Sequence, residues 1–254
     1  MSETPVRYEL ADGIATITID RPEARNALNK AVREGLWTAF RRFVREDAAL
    51  VAILASTGDV FCAGADLKEM SELGLQVPPP DFLPQLGRNL HTEKPVIAAV
   101  QGPAYAGGFA LAQMCDLCVA AEDARFAITE AKWSRGAPWA APLPWLIPPR
   151  IALELMVTAE PLTAARAYAV GLVNRVVPRE RLAEEARALA ATIARNAPLS
   201  VRAAKRMVYA VAGRALDAAL DEGDRVWEPV YRSEDAQEGP RAFREKRAPV
   251  WRGR

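Results

Sequence analysis

An excess of charge of either sign is missing from this sequence. Its 254 residues include 33 Lys and Arg against 32 Asp and Glu, which gives a net charge of +1, and no run of like charges reaches five residues. A chain without a strong overall field has no general attraction for nucleic acid or for an anionic membrane. We therefore expect neither partner, and an anionic ligand must be held by a few local groups.

Cysteine and histidine are also scarce. The cysteines are Cys62, Cys115 and Cys118, and the single histidine is His91. Cys115 and Cys118 form one C-x-x-C pair where a predicted helix gives way to a strand, without the second pair of a zinc site. We expect buried, reduced cysteines, a surface histidine and no metal site. The small number of cysteines, with an N-terminus that lacks a basic and then apolar segment, favours a cytoplasmic protein.

Motifs of several enzyme classes are absent too. The sequence contains no G-x-S-x-G, no Walker A motif and no G-x-G-x-x-G. It gives no support for a hydrolase triad, for nucleotide hydrolysis or for a Rossmann cofactor. The longest uncharged segment, residues 95–115, is about as long as a membrane span. Breaks at Gly102-Pro103 and Gly107-Gly108 divide it instead into a buried strand, a turn and the start of a helix.

Strands and helices alternate in the first 177 residues. Period-two alternation around Asp12-Gly13 predicts two strands within residues 8–19. Apolar residues at helical spacing predict an amphipathic helix over residues 29–44, and the apolar run 50–55 predicts a strand buried on both faces. Further elements are a helix from about Gly108 and strands at residues 96–100, 117–121, 126–128 and 172–177. This order is typical of an α/β architecture.

The chain becomes helical beyond residue 177. Helices are predicted at residues 182–194, 199–211 and 215–228. Two short helical turns are predicted on either side of Gly239-Pro240, the first of them capped by Ser233. We divide the chain into a core of residues 1–177 and a helical region of residues 178–254. The apolar faces of this region are suited to docking onto the core or onto other subunits.

Two glycine-containing turns carry the clearest functional signal. They are residues 61–70 (FCAGADLKEM) and residues 102–111 (GPAYAGGFAL). Each lies between an apolar strand and a predicted helix, so each can present unpaired backbone N–H groups at the positive end of a helix. Considered singly, either turn is explained as well by tight packing.

These turns and their neighbours resemble the crotonase superfamily, the enoyl-CoA hydratase/isomerase family. The resemblance rests on residues 21–29 (RPEARNALN), on residues 63–68 (AGADLK), and on residues 94–102 (KPVIAAVQG) with their continuation to Asp116. Residues 121–126, 167–174 and 242–247 follow in the family's order. The resemblance covers nearly the whole chain. It implies an α/β crotonase-like spiral of ββα units with a C-terminal helical trimerisation region, in a homotrimer or a dimer of trimers.

The resemblance also implies an oxyanion hole made by the backbone N–H groups of Ala65 and Gly107. Proton transfer beside a thioester carbonyl passes through an enolate, whose oxygen is stabilised by such fixed dipoles. The substrate would be an acyl-coenzyme A thioester, with no permanently bound cofactor. The residues implied around coenzyme A are Ala24, Arg25, Ala27, Ala63, Gly64, Asp66, Leu67, Lys68, Tyr105 and Gly108, with Phe243 and Lys246 at the adenine end. For each lysine, a solvated surface charge is the alternative.

The acid/base group departs from the pattern of the family's hydratases. These carry two glutamates, and the matching positions here are Ala110 and Glu130. Adding water to a double bond uses one base and usually a second group, whereas moving a double bond needs a single carboxylate. Some enoyl-CoA isomerases of the family keep only the second acid. We predict that Glu130 is the sole general acid/base; a structural carboxylate near a helix start is the alternative.

Residues 136–149 are a second departure. They contain five prolines with Trp139 and Trp145, where the hydratases have a glycine-rich loop. The prolines stiffen this segment, and the tryptophans either wall the acyl pocket or make core or subunit contacts. The expected function is isomerisation or hydration of an enoyl-CoA. The alternatives are a non-catalytic acyl-CoA binding or scaffold protein, and a CoA-ester decarboxylase or hydrolase on the same fold. Asp116 is predicted to be structural.

Overall fold

The computed structural model describes residues 4–73 and 77–254. The strands of this part of the chain are Val6–Ala11 (β1), Ile14–Ile19 (β2), Val51–Ser56 (β3), Val96–Val100 (β4), Pro103–Tyr105 (β5), Leu117–Ala121 (β6), Arg125–Ala127 (β7), Leu162–Thr163 (β8) and Arg175–Val177 (β9). The helices are Lys30–Arg45 (α1), Leu67–Leu73 (α2), Gly107–Met114 (α3), Leu143–Leu146 (α4), Pro149–Thr158 (α5), Ala164–Ala169 (α6), Leu182–Ala194 (α7), Pro198–Val211 (α8), Leu216–Tyr231 (α9) and Asp235–Arg244 (α10). None of these helices is long and apolar enough to cross a membrane.

The larger sheet has six strands in the order β1-β2-β3-β4-β6-β9. Strands β1 and β2 form an antiparallel hairpin, and every later pair in this sheet is parallel. Successive side chains of β3 point to opposite faces: Leu54 joins the core under α1, and Ile53 joins a second core under α7. This is why β3 and β4 are apolar throughout, as strands covered on both faces are. Helix α7 thereby closes the second face of the sheet.

The smaller sheet positions the second glycine turn. It has the order β5-β7-β8, with β5 parallel to β7. Strand β5 was not predicted, because a three-residue strand that begins with proline has no periodicity to detect. The Cys62 N–H donates to the Pro103 carbonyl at 3.1 Å, and the Tyr105 N–H donates to the Cys62 carbonyl at 2.9 Å. These two bonds join β5 to the first glycine turn.

Most of the predicted elements are confirmed. The hairpin, α1, β3, β4, α3, β6, β7, α7 and α8 lie within a few residues of their predicted bounds. Asn29 caps α1, since its side chain accepts from the Val32 N–H at 3.0 Å. Strand β9 begins three residues later than expected because Leu172 and Asn174 are engaged elsewhere: the Leu172 N–H closes the end of α6, and the Asn174 side chain accepts from the Cys118 N–H.

The prediction of two short helical turns divided at Gly239-Pro240 is wrong. Helix α10 runs through both residues from Asp235 to Arg244. Proline removes one backbone hydrogen bond, but tertiary contacts hold the helix in place. The buried Glu238 carboxylate binds Arg241 and Arg247, and buried Asp235 accepts from backbone N–H groups of residues 252 and 253. Ser233 was predicted to cap the first turn; the N-cap of α10 is Glu234, and the Ser233 hydroxyl next to it accepts from the Ala236 N–H in the first turn.

Asp116 is structural, as predicted. Its carboxylate accepts from the Val96 N–H at 2.8 Å, from Lys205 Nζ at 2.7 Å and from the Tyr209 hydroxyl at 2.8 Å. Burial and the Asp116 charge raise the pKa of Tyr209. These bonds fix α8 to the end of the sheet. All three cysteines are free and buried, and His91 is exposed, as expected. The division of the chain at residue 177 stays a prediction.

Candidate active site

The two glycine turns lie against each other. A Cβ atom built on Gly64 would be 3.4 Å from the Gly107 nitrogen, and one built on Gly107 would be 3.9 Å from the Ala65 nitrogen. Within residues 4–73 and 77–254, neither the Ala65 N–H nor the Gly107 N–H donates a hydrogen bond. Gly107 is the first residue of α3, where the helix dipole favours negative charge. Two unpaired donors beside a helix start can bind an oxyanion.

Glycine is required at these positions by close backbone contact. A Cβ on Gly108 would lie 2.1 Å from the Cys62 carbonyl oxygen. Gly64 has φ +96°, and a Cβ there would lie 2.8 Å from that of Ala106. Ala106 itself has φ 49°, which is strained for a residue with a side chain. Its N–H donates to the Ala127 carbonyl at 2.9 Å, a bond that holds the strained turn on β7.

An ion pair fixes the first turn. Arg21 donates to the Asp66 carboxylate at 2.8 Å, and this bond is the main reason that the pKa of Asp66 is lowered. The same carboxylate accepts from the Lys68 N–H at 3.2 Å at the start of α2. One turn later, Arg33 pairs with Glu69 at 2.5 Å. Asp66, predicted beside coenzyme A, therefore has partners within the protein.

The structure brings most of the implied coenzyme A residues together. The Ala63 N–H donates to the Arg25 carbonyl at 3.1 Å, and the Leu28 N–H donates to the Gly64 carbonyl at 2.8 Å. Residues 24–28 therefore run alongside residues 63–65. Arg25 and Lys68 are both exposed on this surface, where their charges can reach a phosphate. Leu67 is exposed next to Lys68, and Tyr105 ends the strand before Gly107.

Sequence reasoning missed the residue that shapes this segment, Asn26. It is fully buried with φ 54°, in the left-handed region that asparagine tolerates. Its side-chain amide donates to the carbonyls of Thr57 and Val60, and its oxygen accepts from the Arg21 N–H. The signal in the sequence was a lone asparagine between a charged residue and an apolar one, in a segment without periodicity.

Phe243 and Lys246 lie apart from this cluster in the hydrogen-bond network. Phe243 is near the end of α10 and is 87% exposed, and Lys246 follows that helix with φ 53°. Within the part of the chain that the structure describes, neither side chain has a hydrogen bond, ion pair or ring contact with the two glycine turns. Their contact with an adenine stays a prediction.

Glu130 follows β7, the strand that pairs with β5 just before Gly107. It opens a short 3-10 turn, Glu130–Trp133. Its Oε1 accepts from the indole Nε1 of Trp139 at 3.0 Å. Its Oε2 is buried and has no hydrogen-bond partner among the described residues. Burial raises the pKa of Glu130, and the N–H groups of Glu130, Trp139 and Thr129 lower it by less.

The surroundings of Ala110, the position that matches the first glutamate of the hydratases, are apolar. Ala110 is buried on α3, a helix without a titratable side chain. The neighbouring Phe109 packs on Phe126 with 5.6 Å between ring centroids and on Trp139 with 5.7 Å. Trp139 is thus partly buried and packs against the core beside Glu130, whereas Trp145 is 84% exposed. The two tryptophans that the sequence could not separate have different roles.

No cluster of three or more His, Cys, Asp or Glu side chains that could hold a metal ion is found among the described residues. The groups that the structure brings to this site are two N–H dipoles, one buried carboxylate and an indole donor. Together they can polarise a carbonyl and move a proton beside it.

Comparison with known proteins identifies the family. The enoyl-CoA hydratase/isomerase family model matches residues 9–254. Carnitinyl-CoA dehydratase from Salmonella typhi is 40% identical, over 95% of each chain. The crystal structure of an enoyl-CoA hydratase from Mycobacterium tuberculosis H37Rv has a TM-score of 0.90 and 40% identity, and covers 99% of this chain and 100% of that one. A probable enoyl-CoA hydratase/isomerase from Mycobacterium abscessus has a TM-score of 0.89 and 41% identity, with the same coverage.

The chain is a crotonase-fold enzyme, with a mixed α/β core and C-terminal helices. It belongs to the enoyl-CoA hydratase/isomerase family.

The contact of Gly108 with Cys62 predicts a large effect of one methyl group. Gly108→Ala places a Cβ 2.1 Å from a carbonyl oxygen, so α3 must move away from the first turn. We expect the free energy of unfolding to fall by about 1–3 kcal/mol, measured by chemical denaturation. Gly136→Ala is the matched control, because the nearest atom to its Cβ is 3.9 Å away. Equal stability of the two variants would contradict this reading.

Burial of Glu130 predicts a pH-dependent stability difference. Folding raises the pKa of this carboxyl above its ordinary 4.5. The free energy of unfolding therefore falls as the pH rises from that value through the pKa of the folded state. Glu130→Gln removes this loss of stability. The melting temperature of the variant minus that of the unmodified protein should therefore increase from pH 4 to pH 8. The exposed Glu122 supplies the control, because Glu122→Gln removes a carboxylate from the surface. A constant difference for Glu130→Gln would disprove the raised pKa.

Proposed function

We propose that the protein binds an acyl-CoA thioester, polarises its carbonyl with the N–H groups of Ala65 and Gly107, and moves a proton with Glu130 as its single acid/base. One observation carries this proposal: within the described residues, the neighbouring N–H groups of Ala65 and Gly107 are unpaired, and a buried carboxylate oxygen without a partner follows the adjacent strand. Buried polar groups are normally satisfied. Unsatisfied groups of complementary chemistry suit a ligand that supplies both partners.

The chemistry follows from the charge that develops during the reaction. Removing a proton from the carbon next to the thioester places negative charge on the carbonyl oxygen. Fixed donors stabilise this oxygen without reorganising, and one such donor contributes about 3 kcal/mol. Burial raises the pKa of Glu130 towards neutrality, which makes this carboxylate a stronger base than an exposed one. The acceptor of charge and the acceptor of the proton are thus separate groups.

The reaction favoured by these residues needs one carboxylate. Double-bond isomerisation takes a proton from one carbon and returns it to another, which Glu130 can do alone. Reversible hydration is the second candidate, because the Salmonella relative is named a carnitinyl-CoA dehydratase. Ala110 and the apolar α3 provide no second acid to handle water. We therefore place isomerisation first and dehydration or hydration second.

Coenzyme A is proposed to lie along residues 24–27 and 63–68. The support is that these segments run side by side and that Arg25 and Lys68 are exposed cations there, suited to phosphate groups. Coenzyme A would arrive as part of the substrate, without a permanently bound cofactor. A cytoplasmic location stays a prediction from the sequence.

The C-terminal helices are proposed to be covered by other copies of the chain. Large apolar side chains are exposed there: Val208, Tyr209, Leu216, Leu220, Tyr231 and Phe243. Monomers rarely expose so many on one region.

The resemblance to the crotonase superfamily implies that these copies form a homotrimer or a dimer of trimers. Sedimentation equilibrium should give three or six times the mass of one chain. A mass equal to one chain at micromolar concentration would overturn the proposal.

A panel of CoA esters tests the function. The panel contains crotonyl-CoA, a 3-enoyl-CoA, carnitinyl-CoA and a malonyl-type CoA ester. Gain or loss of water, loss of carbon dioxide and release of free coenzyme A each change the product mass. Isomerisation leaves the mass unchanged and is followed by the ultraviolet absorbance of the conjugated thioester. Binding of every ester without turnover would indicate a scaffold protein, and release of carbon dioxide or coenzyme A would indicate the decarboxylase or hydrolase alternative.

The role of Glu130 has its own prediction. Glu130→Gln keeps the shape of the side chain and removes the base, so kcat on the best ester of the panel should fall by about 10²–10⁴-fold. Binding of the same ester, measured by calorimetry, should change little. Glu122→Gln, at an exposed carboxylate, is the control and should keep full activity. Substantial turnover by Glu130→Gln would refute Glu130 as the acid/base.

A further inference from the structure

The indole of Trp139 donates a hydrogen bond to the Glu130 carboxylate. This bond joins the carboxylate to residues 136–149. The indole N–H is a donor only, and it meets Glu130 Oε1 at 3.0 Å. A hydrogen bond to an ionised carboxylate is about twice as strong as one between neutral groups. The other oxygen, Oε2, is buried without a partner among the described residues. The two oxygens of this carboxylate are therefore inequivalent.

The position of the indole is set by α3, the helix that begins at Gly107. The Trp139 carbonyl accepts from Gln113 Nε2 on α3 at 2.9 Å. The Trp139 ring packs edge-on against Phe109, one helical turn before Gln113, with 5.7 Å between centroids. Phe109 also packs on Phe126 of β7, the strand that leads to Glu130. The indole, the helix that carries the second N–H donor, and the strand before Glu130 thus form one connected group.

The sequence of 136–149 supports a fixed indole. Pro138 precedes Trp139 and begins a short 3-10 turn, Pro138–Ala140, that ends at the buried Ala140. A proline at this position restricts the backbone before binding takes place. Trp139 is half-buried, whereas Trp145 further along the same segment makes no comparable contact and is 84% exposed. One tryptophan of the segment packs against the core and the other is in solvent.

Charge–charge interactions are not among the causes that shift the pKa of Glu130. On its own 3-10 turn and just after it lie Lys132, which pairs with Glu160, and Arg135, whose backbone N–H donates to the Glu130 carbonyl. The packed helix α5 carries Arg150 and Glu154, and Glu154 pairs with Arg166. Helix α3 and residues 136–149 carry no charged side chain. The pKa of Glu130 responds instead to burial and to hydrogen bonds.

We propose that Trp139 is the positioning residue for Glu130: its indole N–H holds Oε1 and leaves Oε2 as the oxygen that exchanges the proton with the substrate. This inference rests on the proposed function of Glu130. The indole cannot accept a proton, so it does not replace the missing acid at Ala110 as a second acid/base. Its contribution is a different one, because it orients the single carboxylate that remains. Glu130 then acts with a fixed geometry although α3 offers it no polar partner.

The test compares two tryptophans in the same segment. Trp139→Phe keeps an aromatic ring on Phe109 and removes the N–H donor. Because that donor lowers the pKa of Glu130, its loss should move the acid limb of the pH profile of kcat/KM upwards by about one unit, the size expected for a lost bond to a charged group. The kcat on the best CoA ester of the panel should fall about tenfold or more, while KM changes little. Trp145→Phe, at the exposed ring, should change neither the acid limb of the pH profile nor kcat.

A second measurement is independent of turnover. The tryptophan fluorescence of the unmodified protein should contain a component that titrates with Glu130, and this component should be absent in both Glu130→Gln and Trp139→Phe. If Trp139→Phe does not fold, the comparison between the unmodified protein and Glu130→Gln is sufficient. Loss of kcat in Trp139→Phe with an unmoved acid limb would overturn the positioning role, and so would a titrating component that persists in Glu130→Gln. Full turnover by Glu130→Gln would instead overturn the proposed function, whatever the fluorescence shows.

Discussion

The contact between the start of α3 and the Cys62 carbonyl is the constraint on which the candidate site depends. Gly108 approaches that carbonyl so closely that a Cβ atom would lie 2.1 Å from its oxygen. The two hydrogen bonds between Cys62 and β5 hold the same pair of segments in register. The spacing of the Ala65 and Gly107 N–H groups is therefore fixed by main-chain packing. A donor pair of this kind needs no particular side chain, only the absence of one.

The same packing imposes strain and desolvation on its surroundings. Ala106 holds a left-handed conformation next to the second donor, and Glu130 Oε2 is buried without a partner within the described residues. Such features are normally unfavourable and are found mostly at functional sites. Here the sheet under them is covered on both faces, by α1 and α7. The strained turn thus stands on a sheet that is buried on both faces.

The resemblance to the family rests on main-chain turns, and the departures from its hydratases are in side chains. The turns at residues 61–70 and 102–111 resemble those of the family, whereas α3 has Ala110 at the position of an acid in the hydratases and residues 136–149 are rich in proline and tryptophan. The structure connects the two departures, because Phe109 and Gln113 on α3 both contact Trp139, which in turn binds Glu130. An apolar helix and a rigid indole occur together around one carboxylate.

The sequence by itself determined the elements with strong periodicity and the family. The alternation in β1 and β2, the helical spacing of α1 and the apolar run of β3 each report burial directly, so their bounds were predicted closely. The ordered motifs predicted Ala65, Gly107 and Glu130 as site residues, and their roles stay a prediction. Only the tertiary structure decided that β5 pairs with β7, that α10 continues through Pro240, and that Trp139 but not Trp145 reaches Glu130. These features depend on contacts between residues far apart in the chain or in different elements, and no local pattern encodes which of two similar side chains will meet a distant partner.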